Sequence, residues 1–241
     1  MFRNIVLSAA AAGLLAGLVA ASFQYFVSTP LILEAEKYET AAAAPGLPAA
    51  PDGAAVAMST HGEGEAHDHA GAAWAPEDGL ERTLYTSAAS IVLSIGYALM
   101  LLGAMAASGR RIEARGALLF GLGAFAATAL APALGLPPEL PGSAAGELAA
   151  RQLWWVATAA ATAIGLAAMF LSGNWAIRIV GVAILIVPHV VGAPPAPEPM
   201  SGVPAELAGH FAAVSLVLSA ITWSVIGLAG GAVYRRLAEG P

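Results

Sequence analysis

The sequence predicts an all-α polytopic membrane protein with six transmembrane helices, or five if the fifth segment falls short, and with both termini cytoplasmic. Three observations carry this reading: an apolar composition, six long uncharged runs, and arginines that collect in alternate loops. Of the 241 residues 58% are hydrophobic and 11% charged, with a mean hydropathy of +0.73. A soluble domain carries about 25% charged residues, so a water-soluble globule is excluded. The formal net charge of −6 argues against nucleic acid as a partner. The chain has no Cys, which removes disulfides, thiolate metal sites and thiol catalysis.

The uncharged runs are Asn4–Leu33, Leu84–Ser108, Gly116–Leu136, Gln152–Gly173, Ile179–Ala193 and Leu207–Tyr234. About 20 apolar residues cover the hydrocarbon core. The first run follows Arg3 and ends among small residues, as a signal peptide would. Its length, about twice the 7–15 residues of a signal h-region, instead favours a retained helix. The fifth run is the shortest and carries Pro188, which removes a helical hydrogen bond, so a kinked, tilted or re-entrant segment stays open. The chain thus divides into a first transmembrane helix (1–33), an acidic His-containing outer loop (34–83) and a five-helix bundle (84–241).

Loop charges orient these helices. With the N-terminus inside, Arg3, Arg110, Arg111, Arg115, Arg178, Arg235 and Arg236 are inner, seven of the ten basic residues. Lys37, Arg82 and Arg151 are outer, as are all acids except Glu113 and Glu239. This satisfies the positive-inside rule at every inner turn.

The one long connection, between the first two helices, begins Ala/Pro/Gly-rich and reads as a tether. It continues as His61-Gly-Glu-Gly-Glu-Ala-His67-Asp68-His69, with Glu63 and Glu65 adding carboxylates. Imidazoles suit Zn, Cu, Ni and Co, and short His-rich tracts bind divalent cations reversibly. A merely solubilising acidic linker is the alternative. Trp74-Ala-Pro-Glu77-Asp78-Gly-Leu-Glu81 then leads into the second helix. Acids in a first turn favour the helix dipole, but Glu77, Asp78 and Glu81 would also form an oxygen-rich stop for a cation.

Two further histidines lie at outer helix ends. His189 follows Pro188, and His210 stands four residues after Glu206, which puts that pair on one helical face. Ionisable groups at membrane depth are costly and mark functional positions by default. Against this, His189 could simply satisfy a carbonyl freed by the proline, and His210 could pair with Glu206 at the interface. All five His fall on the outer side, so a carrier with haems at both depths is disfavoured. Gln24 reads as a hydrogen-bond partner of a neighbouring helix, and Trp154, Trp155 and Trp175 as interface anchors. Gly13-x3-Gly17 and Gly227-x3-Gly231 allow close helix packing, but such matches arise by chance in an Ala/Gly-rich chain. No nucleotide-binding or hydrolase motif is present, so an enzyme is not expected.

The opening Met-Phe-Arg-Asn-Ile-Val-Leu-Ser-Ala-Ala, the acidic His-containing loop and Trp74-Ala-Pro-Glu-Asp-Gly-Leu-Glu-Arg-Thr83 resemble the CbtA family. So do Ala131-Pro-Ala-Leu-Gly-Leu-Pro-Pro-Glu-Leu-Pro141, Ala150-Arg-Gln-Leu-Trp-Trp155 and Pro188-His-Val-Val-Gly-Ala-Pro194. The resemblance spans essentially the whole chain. It implies a cobalt transporter subunit of the bacterial inner membrane, linked to cobamide metabolism. It also implies a small His-rich single-helix partner, CbtB, and transported Co2+ with no tightly bound cofactor. Ni2+ or Zn2+ would suit the same ligands. Two expectations follow. Either the chain is a divalent-cation permease, passing the ion from His61, His67, Asp68 and His69 by way of Glu77, Asp78 and Glu81 to His189, Glu206 and His210, or it is a non-transporting scaffold or metal sensor for its partner. Association with further copies stays open.

Overall fold

The computed structural model describes residues 1–43, 76–77, 79–144, 146–195 and 202–239, and these form six helical rods. Helix α1 runs Phe2–Phe23, passes through a π-helical turn, Gln24–Ser28, and continues over Thr29–Ala43. Helix α2 covers Leu80–Ala107. Helix α3 covers Ala114–Phe125, a second π turn, Ala126–Leu130, and Ala131–Ala133. Helices α4, α5 and α6 are Leu148–Leu171, Trp175–Val191 and Ala205–Glu239. No strand occurs among the described residues.

Five of the rods are long and apolar enough to cross a membrane, and α5, with 17 residues, is the short one. At about 1.5 Å per residue α5 spans about 25 Å, a few ångströms less than a typical hydrocarbon core. It nevertheless travels from one end of the bundle to the other. At its start the Arg178 Nε donates to the Ser172 carbonyl, beyond the end of α4. Past its far end, Ala193 and Pro195 lie against Gly135 and Gly146 of the opposite connection. Pro188 does not break it: the helix continues to Val191, and the Pro188 carbonyl accepts from the Gly192 amide. Of the kinked, tilted or re-entrant forms that the proline left open, the re-entrant one is not found: the fifth segment is a single short helix.

The rods alternate in direction, so the turns 108–113 and 172–174 share one end with both termini. Asn4 Nδ2 donates to the Leu237 carbonyl there, and Arg110 to the Phe170 carbonyl. The seven arginines assigned to the inner side all lie at this end. Two of the long helices exceed the thickness of a hydrocarbon core. The Phe2–Tyr38 part of α1 alone is about 55 Å long and α6 about 52 Å, against about 30 Å of hydrocarbon. Helical structure thus continues ten residues past Leu33, where the charges from Glu34 onward had implied that a loop begins. The overshoot is capped by a small cluster in which Ala35, Leu140 and Val203 are buried beside Ile32, Leu207 and Phe211.

The main core is a four-helix body of α1, α2, α3 and α6, centred on Ala9, Ala12, Ala16, Leu102, Met105 and Ile226. Its helices meet through small residues. A Cβ placed on Gly13 would lie 2.3 Å from Ile95 Cα, and one on Gly227 would lie 2.5 Å from the Ala117 carbonyl oxygen. Both small-residue spacings that chance alone could have produced are therefore real packing seams, since only a hydrogen fits at those distances. Helices α4 and α5 form a separate hairpin, which joins the body mainly through the second π turn and the residues that follow it.

Candidate functional site

The end of the molecule opposite the arginine-rich turns holds every described candidate ligand. His61, His67, Asp68, His69 and Asp78 lie outside the described residues. Glu77, Glu81, His189, Glu206 and His210 are all placed at this end, but among the described residues no three His, Asp or Glu side chains gather into one metal-holding group.

Each of these side chains has a local reason for its position. Glu81, in the first turn of α2, accepts from the Glu77 backbone amide at 3.0 Å, which satisfies a donor just outside the helix. One residue on, Arg82 donates to Glu36 of α1 at 2.7 Å and ties the overshooting part of α1 to the start of α2. Glu206 and His210 stand one turn apart on the protruding start of α6. Both are exposed, and no hydrogen bond or ion pair joins them among the described residues. His189, in the last turn of α5, is also exposed, and its ring meets the Trp154 ring edge-on at a centroid distance of 6.3 Å. The 134–148 connection touches both neighbourhoods. Leu140 joins the cluster around Leu207 and Phe211, and Gly135 packs against Trp154 and Ala193.

Trp154 differs from the interface anchor expected of it. Its side chain is only 8% exposed and packs against Gly135, which Ala193 also meets, whereas Trp175 at the opposite end is 73% exposed and fits the interfacial role. An apolar ring packs inward here because Gly135 carries no side chain to exclude it. Gln24 behaves as expected, accepting from the Ser90 hydroxyl of α2 at 2.9 Å. It lies in the π turn of α1, a kind of helix insertion frequent at functional sites.

Above α4, Arg151 pairs with Glu139, and Glu147 caps the helix by accepting from the Ala149 and Ala150 amides. Those backbone hydrogen bonds, first from Ala150 and then from Ala149, hold the Glu147 carboxyl below its ordinary value. The whole end is thus rich in carboxylates and imidazoles above an apolar bundle. Such donors suit a borderline divalent cation.

A family model described as "Probable cobalt transporter subunit (CbtA)" matches residues 2–235. Comparison with curated proteins and with solved structures finds no match. With the match running from the first residue of α1 to the last turn of α6, the chain belongs to the CbtA family of cobalt transporter subunits.

Proposed function

We propose that this subunit is the cation-conducting bundle of its transporter, set in a bacterial inner membrane with the arginine-rich end and both termini in the cytoplasm. The family match over residues 2–235 carries the reading. The positive-inside rule supports the orientation. His189, Glu206 and His210 form the entrance for Co2+ at the periplasmic end. The histidines at 61, 67 and 69, with Asp68, collect the ion before Glu77, Asp78 and Glu81 receive it. Ni2+ and Zn2+ are admitted by the same donors. The exposed imidazoles need further ligands, and a small single-helix, His-rich partner of the CbtB type would supply them. Membrane potential contributes about 2.3 kcal/mol per charge per 100 mV to inward movement.

The test is uptake of labelled Co2+ into proteoliposomes holding the full chain, with and without the partner. His189→Ala and His210→Ala, singly and together, and a chain lacking 61–69 are compared with the wild type. The expected result is a loss of at least tenfold in the double variant. Unchanged uptake in all of them removes the entrance. The exposed setting of His189 favours a second reading, a scaffold on which the partner's own histidines complete a metal site. That reading requires partner binding to be lost in His189→Ala while uptake by other subunits continues.

A further inference from the structure

The hydroxyls inside this bundle fall into two groups. Thr128, Thr222 and Ser224 each donate to the carbonyl four residues earlier, at 2.7–2.9 Å, the usual way to bury a hydroxyl in a membrane helix. Thr158 and Thr162 of α4 do not. They are 0% and 3% exposed, and their Oγ1 atoms have no hydrogen-bond partner. The same is true of Trp154 Nε1, one turn toward the outer end, and of Arg151 Nε above it. Buried polar atoms without partners are uncommon and costly, and four of them on one helix call for an account. Ser8 and Ser28 are also unpartnered, but they lie apart, some twenty residues from each other along α1.

These four residues share a face. Arg151, Trp154, Thr158 and Thr162 follow one another at helical spacings of three and four, as does Gly165 after them. That face meets α5: a Cβ on Gly165 would lie 2.7 Å from the Gly181 carbonyl oxygen, and Trp154 touches His189. These two contacts fix the antiparallel register of the hairpin. In that register Thr158 and Thr162 lie opposite the stretch of α5 between Gly181 and His189, which holds Pro188, a residue with no N–H to bond the carbonyl of the preceding turn.

We propose that the seam between α4 and α5 is a hydrated passage in which the cation, having passed His189, is carried inward by neutral oxygens. Thr158 Oγ1 and Thr162 Oγ1 are its rungs, and the Arg151 and Trp154 N–H groups orient its water. This rests on the reading of the chain as a cation-conducting bundle. The residue types fit transit rather than storage. Hydroxyls and carbonyls replace part of an ion's hydration shell without the charge that would trap it, and a water file satisfies donors and acceptors together. The passage covers about 16 Å from Arg151 to Thr162, roughly half the hydrocarbon thickness. It ends where the backbones of Gly165 and Gly181 close on each other. The close approach of Gly165 and Gly181 thus bounds the passage on the inner side, and the buried Trp154 ring stands at its outer end beside His189.

The absence of native Cys makes the test clean. In proteoliposomes of the full chain, Thr158→Cys and Thr162→Cys are expected to react with a small cationic methanethiosulfonate added from outside, and excess cobalt(II) chloride is expected to slow that reaction. Thr222→Cys and Ser224→Cys in the four-helix core should stay unreactive. Thiols at 158 and 162 as inert as these controls overturn the hydrated seam. The paired Thr158→Val and Thr162→Val variant, which keeps side-chain shape, should lower Co2+ uptake about tenfold, the loss expected for two hydrogen bonds of ordinary strength. Thr222→Val should retain wild-type uptake. Full uptake in the double valine variant overturns the passage as the ion's route even if the thiols react. Should the wild type itself take up no cobalt, the transport reading fails, while thiol reactivity still decides whether the seam holds water.

Discussion

The four-helix body and the α4–α5 hairpin use the same small residues for different ends. In the body, Gly13, Gly17, Gly121, Gly227 and Gly231 bring backbones together over the length of the helices, and apolar side chains fill what is left. In the hairpin, Gly165 and Gly181 bring the backbones together, with Leu185, Ala168 and Met169 packed around them, and toward the outer end the interface includes two hydroxyls, an indole and a proline. Tight packing along a whole interface makes a frame. Buried polar atoms without partners beside a close backbone contact make an interface with hydrogen bonds still to form. On the proposed route that difference gives stability to the body and transport to the hairpin, and each half of the proposal can be broken separately.

The largest expected effect is on the frame. Gly13→Val or Gly227→Val places a branched side chain where a Cβ already lies within 2.5 Å of neighbouring backbone. Overpacking of this kind costs about 1–3 kcal/mol even where side chains can give way, and here backbone would have to move. Both variants are expected to lose the monodisperse folded protein on size-exclusion chromatography in mild detergent. Gly103→Ala meets nothing within 4 Å and should fold normally, with a small gain from helix propensity of about 1 kcal/mol. Normal folding of Gly13→Val would show that the body does not depend on these seams.

The second prediction is aimed at the hairpin. Trp154→Ala removes the ring packed against Gly135, a truncation of a buried aromatic that costs about 3–5 kcal/mol in a soluble core. Because the hairpin joins the body mainly through the end of α3, the damage should stay local. Amides of α4 and α5 should exchange with solvent faster while those of α1 and α6 keep their protection. Loss of protection in all six helices would mean that body and hairpin fold as one unit, and the division drawn here would fall. A smaller effect is expected at the outer part of the body. Gln24→Leu, which removes the bond to Ser90, should cost about 0.6 kcal/mol, the average for hydrogen bonds between membrane helices. It would be read as a slightly lower melting temperature.

The same contrast explains what the sequence could and could not reveal. Helix count, direction and the arginine-rich end depend on composition over some twenty residues, and a solvent as demanding as lipid leaves few alternatives. The Gln24 partnership was legible for the same reason, since an amide at that depth has to find a donor. What escaped were features set by one atom's surroundings. Gly13-x3-Gly17 looks the same in sequence whether or not Ile91 and Ile95 lie across from it. Trp154 and Trp155 are neighbours in sequence, yet one is buried and the other is exposed, because the helical face turns by about 100° between them. The run of Glu34, Glu36 and Lys37 read as the end of α1, but their charges are carried on a helix that continues to Ala43. Thr158 and Thr162 gave no signal either. Threonine in a membrane helix ordinarily bonds its own backbone, and only the structure separates the two that do not.

The mildest test concerns the cap that begins α4 and so sets where the polar face of the hairpin starts. Glu147 accepts from the Ala149 and Ala150 amides, and this holds its carboxyl below its ordinary value. A group whose folded value is depressed stabilises the fold above its unfolded value, and that contribution is lost as pH falls through the folded one. Amides 149 and 150 should therefore stay protected at neutral pH and fray in mild acid, below the ordinary carboxylate range. Glu147→Gln should abolish this pH dependence while leaving a weaker, neutral cap. The corresponding start of α2 should fray differently, because Glu81 bonds the Glu77 amide outside its helix rather than amides within it. If both helices frayed together in acid, with or without Glu147, the cap would have no separate part in holding the hairpin, and the outer end would respond as one piece.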